Sequence, residues 1–177
     1  MKERNTGWRV AYLVAATGML LVDQASKAWA VRALRPLGDQ TIIKGFFDLA
    51  YAENTGIAFS QLQGGGEFGR WVLVALASAA TIAVLVYFFR TPRADDRLLG
   101  ACALLLAGIA GNLLDRVRLG HVIDFIELHA GRYYWPTFNV ADASICAGAL
   151  LLAYDLFRES RIPKEEINKQ EVGSRTT

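Results

Sequence analysis

Few features of this sequence favour metal or redox chemistry. Its 177 residues hold two cysteines, Cys102 and Cys146, and two histidines, His121 and His129. No zinc-type cysteine spacing and no His-Glu-x-x-His motif is present. Both cysteines fall inside apolar blocks, where they read as small core residues rather than a disulfide or a metal pair. A large excess of one charge is missing too: 19 basic and 17 acidic side chains leave a net +2. No dense basic patch alternates with aromatics, so a nucleic-acid groove is not expected. Charge is absent altogether from residues 71–89 and 98–114.

What is present is apolar sequence in long runs. The chain is 53% apolar, and those residues gather in four blocks, 10–31, 71–89, 98–116 and 140–157. Each is close to the ~20 residues that cross ~30 Å of hydrocarbon as a helix. Trp8, Trp29, Trp71, Phe88, Phe89, Trp135, Tyr154 and Phe157 stand near block ends, where interfacial rings belong. Four buried helices of a soluble protein are the alternative, but the second and third blocks carry no polar stripe to face water. Lys2, Arg4 and Arg9 before the first block suggest a cleavable signal peptide, yet the block reads as a retained span. The expected fold is therefore an α-helical polytopic membrane protein with four transmembrane helices. Residues 1–158 form one domain, and 159–177 form a charged tail expected to be disordered.

Basic residues set the orientation. Lys2, Arg4 and Arg9, Arg90, Arg93 and Arg97, and the tail from Arg158 onward share one side of an even-numbered bundle. Fewer basic residues, spread over more chain, lie opposite, so the termini are expected in the cytoplasm. The outer segments are 33–70 and 117–139. Residues 41–43, 46–51, 57–59 and 121–128 look strand-like, with a turn at Lys44-Gly45 and another at Gly64-Gly65-Gly66. Together they predict a small extracytoplasmic β-sheet cradle. Small residues recur at Ala103, Ala107 and Gly111, and at Ser144 and Gly148, where helices could approach closely.

Ionisable groups inside spans are expensive and usually face a bundle interior or a wet cavity. The topology gathers them at one depth. Asp23 and Lys27 lie in the outer half of the first block, Asn112, Asp115 and Arg116 at the outer end of the third, and Asn139 and Asp142 at the outer start of the fourth. Each also has a structural reading. Asp23 and Lys27 are four apart and could neutralise each other. Asp115 could pair with a neighbouring Arg116 or with Lys27. Arg116 could snorkel at a helix C-terminus that Gly120 closes. Asn139 and Asp142 have the spacing of a helix cap. Asn54 lies in a turn-like Glu53-Asn54-Thr55-Gly56. Asp124 is harder to explain structurally, between Ile123 and Phe125 in an apolar run.

Two carboxylates within reach of one water do not both ionise cheaply, so one keeps a proton. The ionised member takes a proton from water, and the protonated one polarises a carbonyl. Asp124 and Asp142 are the best candidates for such a pair, which needs no metal or cofactor. His121, Asp124 and His129 as metal ligands lack helical spacing. Ser26 beside Lys27 is a poor serine–lysine pair. Two non-hydrolytic readings remain: a small proton or ion pathway, and a scaffold subunit. A pathway needs polar groups at successive depths, and almost none lie below Asn112 in blocks two and three.

The stretches Asp23-Gln-Ala-Ser-Lys27, Asn54-Thr-Gly-Ile-Ala-Phe59, Gly111-Asn-Leu-Leu-Asp-Arg116, Gly120-His-Val-Ile-Asp-Phe125 and Phe138-Asn-Val-Ala-Asp142 carry a family likeness. Their order and spacing resemble the lipoprotein signal peptidase family, the type II signal peptidases of bacterial inner membranes. The likeness runs from about residue 10 to 158, with no departure where the family carries its chemistry. It implies four membrane helices, cytoplasmic termini and a small outer sheet cradling the substrate. It implies an aspartic peptidase that cuts a prolipoprotein just before its diacylglyceryl-modified cysteine. The catalytic residues carried over are Asp124 and Asp142; Asp23, Lys27, Asn54, Asn112, Asp115, Arg116 and Asn139 match positions that support the site or contact substrate. Lipid-modified prolipoprotein signal peptides and membrane phospholipids are the implied partners. The implied inhibitor is the cyclic peptide globomycin, and nothing demands an oligomer, so a monomer is expected.

Overall fold

A computed structural model describes residues 7–56, 66–91 and 96–160. The expected strand at 57–59, most of the glycine turn and the tail from Arg161 lie outside these residues. The elements in chain order are α1 (Gly7–Leu37), β1 (Gln40–Ile43), β2 (Phe47–Asn54), α2 (Gly66–Arg90), α3 (Asp96–Leu119), β3 (Val122–Ala130), β4 (Tyr133–Tyr134) and α4 (Val140–Ser160).

Each apolar block lies within one helix, and the helices extend past the block limits. At 1.5 Å per residue the 31 residues of α1 reach about 46 Å, well beyond a bilayer's apolar thickness. Gly38, at φ +75°, ends α1 and donates its N–H to Leu34 O at 2.9 Å. By length and composition α2, α3 and α4 are each able to cross a membrane. α1 is long enough, but Asp23, Gln24 and Lys27 interrupt its apolar run.

α3 is the hub of the bundle. Over half (56%) of its most apolar stretch is buried, against 6% for α2 and 17% for α4. Small residues explain the close approach of α4. A Cβ on Gly108 would collide with the Ala141 carbonyl oxygen, and one on Gly148 would sit 2.9 Å from Ala101 O. Ala103 and Ala107 pack instead on Ala16 of α1. Outward-facing side chains such as Val14, Leu21, Ile82 and Leu150 are exposed and apolar, as lipid contact requires. Cys102 is buried, but Cys146 is exposed on α4, contrary to the core position expected for it. A membrane helix is apolar on its outer face too, so an apolar block does not tell inside from outside.

The sheet is antiparallel in the order β1-β2-β3-β4. β1, β2 and β3 match the predicted strands, and Lys44-Gly45 forms the turn between the first two. The two-residue β4, pairing Tyr134 with His129, was not expected. The sheet rests on the end of α1, where Ala30 and Leu34 bury themselves against Ile123 and Phe125. A bulge between Leu49 and Ala52 of β2 sets Ala52 opposite Asp124. Phe138 bridges Ile126, its carbonyl accepting the N–H groups of Phe125 at 3.0 Å and Ile126 at 2.8 Å. That pairing delivers the start of α4 alongside the middle of β3.

Candidate active site

The start of α4 organises the polar cluster. A helix leaves its first N–H groups without intrahelical acceptors. Asn139 Oδ1 accepts the Asp142 N–H at 2.9 Å, and Asp142 Oδ2 accepts the Asn139 N–H at 3.3 Å, a reciprocal cap. Asp23 Oδ1, from α1, accepts the Ala141 N–H at 2.8 Å. The capping expected of Asn139 and Asp142 is thus present, and a second helix completes it.

Asn139 also reaches the sheet. Its Nδ2 donates to Asp124 Oδ1 at 2.7 Å, with Asn112 Oδ1 at 3.2 Å and Ile123 O at 3.3 Å. Asn54, the last residue of β2, donates to Asp124 Oδ2 at 3.0 Å and accepts the Gly56 N–H at 2.9 Å, so it is both turn former and neighbour of the site. Asn112 Nδ2 donates to Asp142 Oδ1 at 2.7 Å. Three amides therefore hold the two carboxylates, and Asn139 touches both.

Behind them lies a buried ionic cluster. Lys27 Nζ meets Asp23 Oδ2 at 2.9 Å and Asp115 Oδ2 at 2.8 Å, and donates to Asn112 Oδ1 at 2.9 Å. The three charged side chains are at most 4% exposed, and such burial is tolerated only when each charge is paired and hydrogen-bonded. Of the two partners considered for Asp115, Lys27 is the one in contact.

Burial pushes the Asp124 carboxyl up to about 6, and the neighbouring Asp142 charge adds to this. The Asn54 and Asn139 hydrogen bonds and Lys27 oppose the rise. Arg116, partly buried, is near enough to feel Asp142, Asp124 and Asp115. It lines a cavity of about 380 Å³ together with Asn112 and Asp142. Leu73, Leu76, Ala77 and Ala80 of α2, Ile109 of α3 and Ile145 of α4 make the rest of the wall apolar.

The histidines stand elsewhere. His121 lies 3.9 Å from Glu53, while His129 stacks on Tyr134 and lies 3.1 Å from Asp48. Among the described residues no three His, Cys, Asp or Glu side chains are grouped to hold a metal ion.

The sequence pattern of the family described as signal peptidase (SPase) II matches residues 15–158. The chain belongs to this family. It is a signal peptidase, an enzyme of lipoprotein processing. The lipoprotein signal peptidase of Pseudomonas fluorescens is 41% identical over 154 residues, covering 86% of this chain and 91% of that protein. That of Geobacter sulfurreducens is 42% identical, covering 81% and 89%. A bacterial membrane enzyme solved in meso at 2.3 Å resolution superposes with a TM-score of 0.73 at 26% identity, over 85% of this chain and 90% of that one. A second, at 1.9 Å resolution, gives 0.73 at 27% identity. With its apolar helices, these likenesses make the chain a multi-pass membrane protein of helices and a small antiparallel sheet.

Eight of the nine residues expected at the site join one hydrogen-bonded and ionic cluster, and Arg116 faces the cavity beside it. Two further residues were not singled out from sequence. Gln24 donates from Nε2 to Asp115 Oδ1 at 3.0 Å and Asp23 Oδ2 at 3.2 Å, securing the oxygens around Lys27. Its place inside Asp23-Gln-Ala-Ser-Lys27 was the available signal. Arg70 donates to backbone carbonyls of α3, and sequence offers no marker of such a partner.

Proposed function

We propose that this chain is an aspartic peptidase that removes the signal peptide from diacylglyceryl-modified prolipoproteins, cutting just before the lipidated cysteine, with Asp124 and Asp142 as its catalytic pair. One observation carries the reading: a carboxylate from a strand and one from a helix start meet at Asn139, whose side-chain amide donates to Asp124 and whose backbone N–H donates to Asp142, beside a largely apolar cavity.

The raised pKa favours Asp124 as holder of the shared proton. Asp142 then takes a proton from water, and the hydroxide attacks the scissile carbonyl. Asp124 donates its proton to the carbonyl oxygen, neutralising the oxyanion as the tetrahedral intermediate forms. The intermediate's hydroxyl returns a proton to Asp124 as the carbonyl reforms. Asp142 passes its own proton to the departing amine nitrogen, the C–N bond breaks, and the pair regains its starting state. Asn54 and Asn139 orient Asp124, and Asn112 orients Asp142. Lys27, Asp23 and Asp115 fix Asn112 and the start of α4. Arg116 meets substrate carbonyls.

The apolar cavity suits substrate arriving sideways from the lipid, which spares its acyl chains a passage through water. With α1 as the fourth span, both termini are cytoplasmic and the site lies at the outer face of the bacterial inner membrane. Phospholipids surround a monomer, and globomycin blocks the site.

A gel-shift assay on a lipidated prolipoprotein tests the reading. Wild type cleaves it, while Asp124→Asn and Asp142→Asn each lose on the order of 10³-fold or more with the fold intact. Retained turnover in either purified variant removes that residue from the pair. Inhibition by chelator revives a metal mechanism, and equal cleavage of unlipidated precursor defeats the lipid-depth argument. Protease digestion of the tail in sealed vesicles of either orientation reads the topology.

A further inference from the structure

A cation near the start of a helix opposes the helix dipole. Arg70 stands there in α2, with its Nη1 3.2 Å from Glu67 and its guanidinium 5.1 Å from the Trp71 ring centroid on the same helix. Its Nε donates to Arg116 O at 2.8 Å and its Nη2 to Val117 O at 2.7 Å. Those carbonyls belong to the last turn of α3, the negative end of its dipole, where Arg116 O also accepts the Gly120 N–H at 3.2 Å. One side chain, 20% exposed, thus ties the outer ends of two helices.

The tie bears on the cavity. Leu73, Ala77 and Ala80 follow Arg70 on one face of α2 and line the cavity opposite Asn112, Arg116 and Asp142. From Trp71 to Phe89 α2 is uncharged, and Phe88 is its one buried residue, the others being half-buried or exposed. Lipid is as apolar as such a helix, so packing alone sets its depth and rotation weakly. Arg9 of α1 holds the inner end through Phe89 O at 2.9 Å. Arg70 holds the end beside the site. Leu73 also leans on Gly56, where an added Cβ would lie 2.7 Å from Leu73 Cδ1.

We propose that Arg70 is a positioning residue that fixes the α2 wall of the cavity and so governs the fit of the substrate's acyl chain. The proposal rests on the peptidase reading above.

The test is steady-state cleavage, in lipid nanodiscs, of a prolipoprotein peptide carrying palmitoyl or octanoyl diacylglyceryl chains. Arg70→Ala raises KM for the palmitoyl substrate about fivefold and flattens the preference for it over the octanoyl one, with kcat within about twofold of wild type. Arg70→Lys recovers part of the preference, since an ammonium keeps the charge but not the fork across two carbonyls. Leu73→Ala flattens the preference with the tie intact, and it and Arg70→Lys carry the test if Arg70→Ala does not fold. Unchanged preference in the folded Arg70 variants, or kcat and kcat/KM falling together in step with thermal stability, overturns the proposal. A wild type that cleaves neither substrate overturns the peptidase reading and this inference together. Wild-type cleavage, abolished by Asp124→Asn, with no change in preference overturns the inference alone.

Discussion

At Lys27 an ammonium group only 2% exposed meets three acceptors within 2.9 Å. Removing one partner from a buried ionic group leaves the others uncompensated, which costs about 3–5 kcal/mol. Lys27→Met is therefore expected to lower the unfolding temperature in detergent sharply. Adding Asp115→Asn should recover part of the loss, because one unpaired carboxylate goes with it. Recovery would not be expected if Lys27 acted through packing alone. Asp124 gives a second prediction at this scale. Its carboxyl is raised to about 6 by burial, so between roughly pH 4 and that value the folded chain binds a proton that the unfolded chain lacks. The stabilising contribution of this group is complete at low pH and is lost as pH rises through about 6. Asp124→Asn does not titrate, so its stability relative to wild type should improve from about pH 4 to about pH 6 and level off above that in thermal melts. In kinetics, kcat/KM should fall on the alkaline side as the shared proton leaves the free enzyme. Substrate that excludes water should move the corresponding limb of kcat to higher pH.

Between elements, the contact of α3 with α4 depends on hydrogen atoms where other residues carry methyl groups. Gly108→Ala would press a Cβ against the Ala141 backbone and 2.6 Å from Ile145 Cγ1. Overpacking of this kind costs about 1–3 kcal/mol, and it also displaces the turn that bears Asp142. Thermal melts should show that loss, with a larger fractional loss of cleavage. Gly18→Ala, with nothing within 4 Å of the new Cβ, should be neutral or mildly stabilising. Sequence showed the elements better than their facing. The apolar blocks were visible because an uncharged run of membrane length has few soluble explanations. Asn139 and Asp142 were legible because a cap is local, with both partners three residues apart. Asp124 stood out as a lone charge among apolar neighbours. Arg70 was hidden because backbone carbonyls occur at every position and carry no sequence signal. Cys146 was misplaced because a block that is apolar all round hides which side meets lipid. β4 is two residues long, too short for alternation to register.

At the scale of the whole molecule, α1 belongs to two environments. Its first turns bring Arg9 against the C-terminal end of α2, its middle supplies Asp23 and Lys27, and its C-terminal end is the base on which β2 and β3 pack. The sheet packs on the helix through Ala30, Leu34, Ile123 and Phe125, so the elevation of Asp124 follows α1 rather than the surrounding lipid. Acyl tails, by contrast, hold a substrate cysteine at an elevation that follows bilayer thickness. α1 is then a measuring rod, and hydrophobic mismatch becomes a variable of catalysis. In proteoliposomes of phosphatidylcholines with increasing tail length, kcat/KM should rise to a single optimum and decline on both sides. A flat profile would mean that enzyme and substrate ride the membrane together, with no fixed gauge between them.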